Sequence, residues 1–164
     1  MKKNLLIVSA ATVILMLGLL VSAPVAAASS NHTAHLSGDQ EVPAVDTSAQ
    51  GEVIFQINKD GTEIGYRLVA ANIENVMMSH IHLAPAGTNG PIVVWLYPSA
   101  PPAQLIPGRF NGVLAEGTIT AANLVGPLAG QPLSALISAM NAGNTYVNIH
   151  TTQHPAGEIR GQLR

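Results

Sequence analysis

The chain has 164 residues, of which 48% are hydrophobic and 10% are charged, and its formal net charge is −2. This length suits one domain with a targeting segment, and the lack of a basic excess argues against nucleic acid and anionic membranes as partners. The sequence contains no cysteine. Disulfides and thiolate metal sites are therefore excluded, and an exported domain must depend on its core, a metal or assembly.

The first 28 residues have the pattern of a secretory signal peptide. Lys2 and Lys3 form a basic start, residues 5–21 are almost wholly apolar, and small residues follow up to Ala28. This pattern predicts cleavage after Ala28 and export to the periplasm, the cell surface or the medium. An uncleaved membrane anchor is the alternative, since the apolar run is long enough to span a bilayer. Removing residues 1–28 takes away Lys2 and Lys3 and no acidic residue, which leaves five basic and nine acidic residues and a net charge of −4.

A series of short strands is predicted after the signal peptide. A polar leader at residues 29–33 comes first. Alternating apolar and polar residues, interrupted by turn residues, then predict strands at residues 34–37, 51–58, 63–71, 76–83, 92–96, 110–119, 146–151 and 158–163. After Pro132, apolar residues recur at helical spacing over residues 133–140, which predicts one short helix. The expected fold is an all-β antiparallel β-sandwich with one short helix, similar in general architecture to immunoglobulin and superoxide dismutase domains.

Histidines form the most distinctive pattern in the sequence. His80 and His82 are two positions apart in a predicted strand, so both side chains point to one face and can converge on one ion. His150 belongs to another predicted strand and is the third candidate ligand, while His35 and His154 are weaker candidates. Imidazoles without thiolates suit copper or zinc. The alternative is that these histidines only hydrogen-bond neighbouring backbone carbonyls.

Two parts of the chain repeat a strand–histidine–turn pattern. Ile81-His82 is followed by Pro85-Ala86-Gly87, and Ile149-His150 is followed by Pro155-Ala156-Gly157. Each histidine comes at the end of a predicted strand, just before a glycine-containing turn. The repeat indicates that His82 and His150 lie at the same end of the domain.

Other polar and aromatic positions have two interpretations each. Glu41 is either a carboxylate close to the histidines or a loop residue that accepts backbone N–H groups. Glu158 and Arg160 are two positions apart on the last predicted strand, where they pair with each other or with charges on a neighbouring strand. Trp95 and the proline-rich loop at residues 98–107 form either a surface for a partner or a stiff surface connection.

Three blocks of sequence resemble the CHRD (chordin-type) domain family. They lie in order along the chain, at residues 36–44, 80–93 and 146–162, and the resemblance extends over nearly all of the predicted domain at residues 29–164. It implies an extracellular β-sandwich module, which in bacteria is mostly a single-domain exported protein, and it supplies no reaction. In animals such domains occur in chordin, which binds secreted signalling proteins. The cysteine-rich modules of chordin are lacking here, so that activity is not carried over.

The sequence supports three hypotheses about function. The leading one is a non-enzymatic binding or structural module outside the cytoplasm, with an extracellular protein or matrix component as partner. The second is a copper- or zinc-binding protein with His80, His82 and His150 as ligands. The third is a metal-dependent redox enzyme, because His-x-His on a β-sandwich is similar in kind to the copper–zinc superoxide dismutase site. That enzyme needs further histidine and aspartate ligands and usually a disulfide, which the sequence does not identify.

Overall fold

A computed structural model describes residues 30–164, so the predicted signal peptide at residues 1–28 lies outside the described residues. The described chain forms one α-helix, α1 (Leu133–Asn141), and seven strands, which are β1 (Asn31–Ser37), β2 (Gln50–Ile57), β3 (Ile64–Leu83), β4 (Ile92–Tyr97), β5 (Ile106–Ile119), β6 (Thr145–Thr151) and β7 (Ile159–Gln162). Short 3-10 turns follow β1 and β5. Within residues 30–164, no helix has the length and apolar character needed to cross a membrane.

The long strand β3 replaces two strands predicted at residues 63–71 and 76–83. Asn72 and Asn75, with φ of 55° each, lie in the left-handed region within it, a conformation that asparagine adopts more readily than most residues. The register against β5 shifts around these residues. The prediction of two strands was wrong here because a local irregularity does not end the strand. Instead β3 continues past it and exchanges its neighbours β2 and β5 for β4 and β6.

The strand pairings connect all seven strands and close a ring. The ladder runs β2-β1-β7-β6-β3-β4, and β3 also pairs with β2, so five strands form a barrel to which β4 and β5 are added. Every pairing is antiparallel. The predicted all-β antiparallel fold with one short helix is therefore confirmed. Its description as a two-sheet sandwich stays a prediction, because the ladder joins all strands through β3.

The hydrophobic core lies inside this ring. Val53, Phe55 and Ile57 alternate with exposed residues along β2 and are buried, as predicted from their spacing. The helix α1 contributes a buried apolar stripe to the same cluster, which confirms the helix predicted after Pro132. Burial of this apolar surface, at about 25 cal/mol for each Å², is the main term that favours the folded chain.

The first strand begins earlier than predicted. Residues 31–33 were expected in a polar leader, but they belong to β1 and pair with β2. His32 is 7% exposed, and its Nε2 lies 3.1 Å from Oδ1 of Asn141, at the end of α1. The segment was predicted as a leader because its residues are polar, but it is an alternating strand that contacts the helix.

The strand β6 is buried on both faces, and this positions the candidate site. All seven of its residues are buried. Val147 and Ile149 point into the core. Tyr146, Asn148 and His150 therefore point to the opposite face, where loops cover them instead of solvent.

Candidate metal centre

Three histidines come together on the outer face of β3 and β6. Met78 of β3 lies opposite His150 of β6, and His80 lies opposite Asn148, so these side chains share one face of the sheet. One ring nitrogen from each of His80, His82 and His150 can be chosen so that all three lie within 4.8 Å of one another. The structure thus brings together the three candidate ligands, while their binding of a metal stays a prediction.

The three rings are almost completely removed from solvent. His80 is 0% exposed, His82 is 7% exposed and His150 is 5% exposed. The His82 ring stacks on Tyr146 with 4.7 Å between centroids and 8° between planes. Burial of this kind holds each imidazole in one orientation, as a preorganised ligand set requires.

Two of the histidines are fixed by the loops that follow their strands. Nδ1 of His82 lies 2.8 Å from the carbonyl oxygen of Gly90, and Nδ1 of His150 lies 3.1 Å from that of Pro155. A carbonyl oxygen only accepts, so each Nδ1 carries the hydrogen and each neutral ring presents Nε2 as a lone pair. This common arrangement gives the sequence repeat a physical meaning, since each unit positions one imidazole with its own loop.

His80 completes a chain of hydrogen bonds. Its Nδ1 lies 3.1 Å from Nε2 of His150. Because His150 Nε2 is an acceptor, His80 Nδ1–H is the donor. This leaves Nε2 of His80 and Nε2 of His82 buried and without a hydrogen-bond partner among the described residues. A metal ion is one group that would satisfy such lone pairs.

The histidines are neutral at neutral pH. Burial, with smaller effects from neighbouring histidines, lowers the pKa of His80 to about 3. Burial also lowers the pKa of His150 to about 4, against the opposing hydrogen bond to Pro155, and it lowers the pKa of His82. Neutral imidazole is the form that binds metal ions, so no proton has to be removed first.

Arg160 supports the loop that positions His82. It is 1% exposed, and its guanidinium carbon lies 3.4 Å from the centre of the Tyr146 ring. Nη2 donates to the carbonyl oxygen of Thr88 at 2.9 Å, and Nη1 donates to Oδ1 of Asn89 at 3.2 Å. Arg160, Tyr146 and His82 therefore form a stack that links β7 to the site.

Glu158 and Arg160 do not pair with each other, which was one interpretation of their spacing. The Glu158 carboxylate accepts hydrogen bonds from the hydroxyl groups of Thr47 and Thr151, each at 2.7 Å. Arg160 instead turns toward the loop and the Tyr146 ring. The two side chains, one just before β7 and one within it, therefore have separate structural roles.

Both interpretations of Glu41 find support, because its carboxyl group lies close to the site and also accepts a hydrogen bond from the backbone of Val42. It is 7% exposed, and its carboxyl group is next to the Asn148 carboxamide and under the influence of the Arg160 charge. Burial raises the pKa of Glu41 to about 7, although Arg160 and Asn148 act in the opposite direction. A buried carboxyl group with a strongly raised pKa is typical of functional sites, and this one lies beside the histidines.

The two weaker candidates, His35 and His154, lie outside the three-histidine group. The His35 side chain is 52% exposed, and its Nδ1 lies 3.3 Å from Oε1 of Glu52. His154 is half-buried in the turn after β6, where its backbone N–H donates to Oγ1 of Thr151. His35 therefore serves as a control residue for experiments on the site.

Sequence reasoning did not identify four side chains that surround the histidines, namely Trp95, Tyr146, Asn148 and Arg160. A signal was present, because polar residues occupy alternate positions 146, 148 and 150 in β6, and positions 158, 160 and 162 in and just before β7. Such alternation is also typical of a solvent-facing sheet surface. The covering loops turn this surface into a buried polar layer.

Fold and site together define a small antiparallel β-barrel domain with a buried three-histidine centre. The CHRD domain family matches residues 32–163, so the chain belongs to the CHRD domain family. A search of curated proteins and a search of solved structures each returned no match. Family membership confirms the resemblance seen in the three sequence blocks.

Proposed function

We propose that this protein is an exported, non-enzymatic CHRD module that binds one copper or zinc ion through His80, His82 and His150. The observation that carries this proposal is the convergence of three buried imidazoles whose ligand atoms lie within 4.8 Å of one another. Metal–nitrogen bonds of about 2.0–2.1 Å place the nitrogens of a tetrahedral site roughly 3.4 Å apart. Binding of an ion would therefore draw the three nitrogens closer together than the 4.8 Å within which they lie.

The two unpartnered nitrogens favour metal binding over a purely structural role. Hydrogen bonds to Gly90 and Pro155 use only the Nδ1 side of His82 and His150. Nε2 of His80 and of His82 have no partner within residues 30–164, and a buried polar atom left in this way costs about 1–3 kcal/mol. A structural role leaves one nitrogen of His80 and one of His82 unsatisfied, whereas a bound ion would satisfy both, with Nε2 of His150 exchanging its hydrogen bond from His80 for the ion.

Export and an extracellular partner are the other parts of the proposal. They are supported by the signal-peptide pattern at residues 1–28 and by the acidic balance of the remaining chain. The partner class we propose is an extracellular protein or a matrix component.

We also propose that the fold is a sandwich of two sheets that share β3. The first half of β3 pairs with β2 and its second half pairs with β6, so the strand has different neighbours in its two halves.

Metal content and processing test the proposal in one preparation. The full-length chain is expressed with its N-terminal segment and recovered from the extracytoplasmic fraction, and its intact mass locates the mature N-terminus. Separate samples are loaded with copper(II) and zinc(II), dialysed and analysed for metal. We expect a mass without residues 1–28 and about one ion per chain, retained in His35→Ala and lost in His82→Ala.

Two controls separate the site from the fold. Circular dichroism of His82→Ala, and of the milder variant His150→Gln, shows whether each variant is folded before its metal content is read. A folded wild-type protein that retains no metal contradicts the proposed site and leaves an interaction module whose partner must be found by other means. Recovery of the intact chain with residues 1–28 contradicts cleavage.

A further inference from the structure

A second set of unpartnered atoms lies beside the three histidines. Oε1 of Glu41 and Oδ1 of Asn148 are buried, and neither has a hydrogen-bond partner in the part of the chain that the structure describes. Nε2 of His80 and Nε2 of His82 are likewise buried and unpartnered, and Asn148, which lies opposite His80 and interacts with both His82 and Glu41, connects the four acceptor atoms. Buried acceptors are normally satisfied, so this region is suited to a cation together with a ligand that donates hydrogen bonds.

Asn148 connects the histidines to Glu41. It lies opposite His80 in the β3–β6 ladder. Its carboxamide acts to lower the pKa of Glu41 and to raise the pKa of His82. Gly157 provides the space for this contact, because a Cβ there would lie 2.8 Å from Nδ2 of Asn148 and still closer to Oε1 of Glu41. The amide nitrogen thus faces the Glu41 side, and Oδ1 is the acceptor on the histidine side.

We infer that an ion held by His80, His82 and His150 keeps an exchangeable fourth position, which faces Asn148 and Glu41 and selects a small ligand that carries hydrogen, such as water or hydroxide. This inference rests on the proposed metal site. Three protein ligands leave one tetrahedral position for a further ligand. A water molecule there has two hydrogens to donate, and Oδ1 of Asn148 and Oε1 of Glu41 accept them.

The same arrangement disfavours small anions without hydrogen. Azide at the fourth position places its own lone pairs and negative charge against the acceptor atoms Oδ1 of Asn148 and Oε1 of Glu41. Asn148 and Glu41 are therefore positioning residues that determine ligand preference without binding the metal. Replacing either one with a group that does not oppose azide will make azide bind more tightly.

Azide titration of the copper(II)-loaded full-length protein tests this inference. Azide bound to copper(II) produces a new charge-transfer absorption band, whose growth gives the dissociation constant. We expect weak binding in the wild type, and binding about tenfold tighter, equivalent to about 1.4 kcal/mol, in Asn148→Leu and in Glu41→Gln. Asn148→Asp keeps an acceptor and should bind azide no better than the wild type. Glu52→Gln, which changes an exposed carboxylate, is the matched control and should behave as the wild type.

Each other outcome has a distinct meaning. Failure of the wild type to hold copper overturns the proposed metal site itself. Full copper loading without an azide band in any variant shows a closed site and overturns the inference alone. Equal azide affinities in the wild type, Asn148→Leu and Glu41→Gln show that the fourth position faces elsewhere. Loss of copper from folded Glu41→Gln makes Glu41 a ligand, which also overturns the inference. If Asn148→Leu does not fold, Glu41→Gln and Asn148→Asp still decide between these results.

Discussion

The rings of Trp95 and His80 meet in a T-shaped arrangement, with 4.3 Å between centroids and 85° between planes. The two residues lie opposite each other in the β3–β4 ladder. Trp95 is half-buried, so its ring does not lie wholly on the surface considered for a partner in the sequence. Instead Trp95 closes the side of the site that faces β4, and it is the sole tryptophan of the chain.

Trp95 fluorescence should report metal binding directly. Copper(II) has an open d shell and quenches a nearby indole, whereas zinc has a filled d shell and does not. We expect copper(II) to quench most of the emission at one equivalent, and zinc to prevent that quenching when it is added first. The measurement is a fluorescence titration of the wild type, His35→Ala and His82→Ala. Equal quenching in all three proteins would mean that copper binds elsewhere.

The metal-free protein should lose stability on acidification. His80 and His150, with pKa values of about 3 and about 4 in the folded chain, take up protons more readily when unfolded. Unfolding is therefore favoured as the pH falls below 6.5, by about 1.4 kcal/mol per pH unit for each histidine. Urea unfolding in the presence of a chelator, at a series of pH values from 7.5 to 4.5, measures this slope. A free energy of unfolding that increases toward low pH would contradict the prediction.

The Glu41 carboxyl group should reduce this loss of stability on acidification. Its pKa is raised from 4.5 to about 7, so between these values the folded chain binds a proton more readily than the unfolded chain, and acidification adds stability. Glu41→Gln removes that contribution. We therefore expect a steeper loss of stability between pH 7 and pH 4.5 in Glu41→Gln than in the wild type, in the same urea experiment. Parallel curves would show that the carboxyl group ionises normally.

Arg160 should contribute far more to the free energy of unfolding than an exposed arginine does. Arg160→Met removes its hydrogen bonds to the loop after β3, and a hydrogen bond from a charged donor contributes about 1.5–3 kcal/mol. Arg109→Met is the matched control, because Arg109 forms an exposed pair with Glu74 at 3.5 Å and should cost at most about 1 kcal/mol. Urea unfolding compares the two variants. Similar losses would show that the buried guanidinium has no special role.

Gly157 should not tolerate a side chain. Gly157 and Gly87 both have positive φ, at 131° and 74°, so alanine at either position strains the backbone by about 1–3 kcal/mol. A Cβ at Gly87 meets nothing within 4 Å, whereas one at Gly157 collides with Glu41 and Asn148. Thermal unfolding should therefore show a larger loss for Gly157→Ala than for Gly87→Ala. Equal losses would indicate that the region between Glu41 and Asn148 is loosely packed.

Most of the fold could be predicted because strand and helix patterns are local. The alternation of Val53, Phe55 and Ile57, and the helical spacing of the apolar residues after Pro132, identify buried faces without knowledge of the partners. The joining of two predicted strands into β3 was missed, because Asn72 and Asn75 resemble the residues of a turn. The start of β1 was missed because polar residues alternate there with a single buried histidine and a small apolar residue.

The sequence by itself determined that His80 and His82 share a face, since side chains alternate along any strand. It also determined the CHRD resemblance, since the three blocks are read directly from the residues. Tertiary structure alone decided that His150 reaches the pair, that Gly90 and Pro155 fix the ring hydrogens, and that loops bury this polar face. The physical reason is that a strand with alternating polar residues has the same sequence pattern whether its polar face contacts water or is covered by a loop. Only contacts between distant segments distinguish the two.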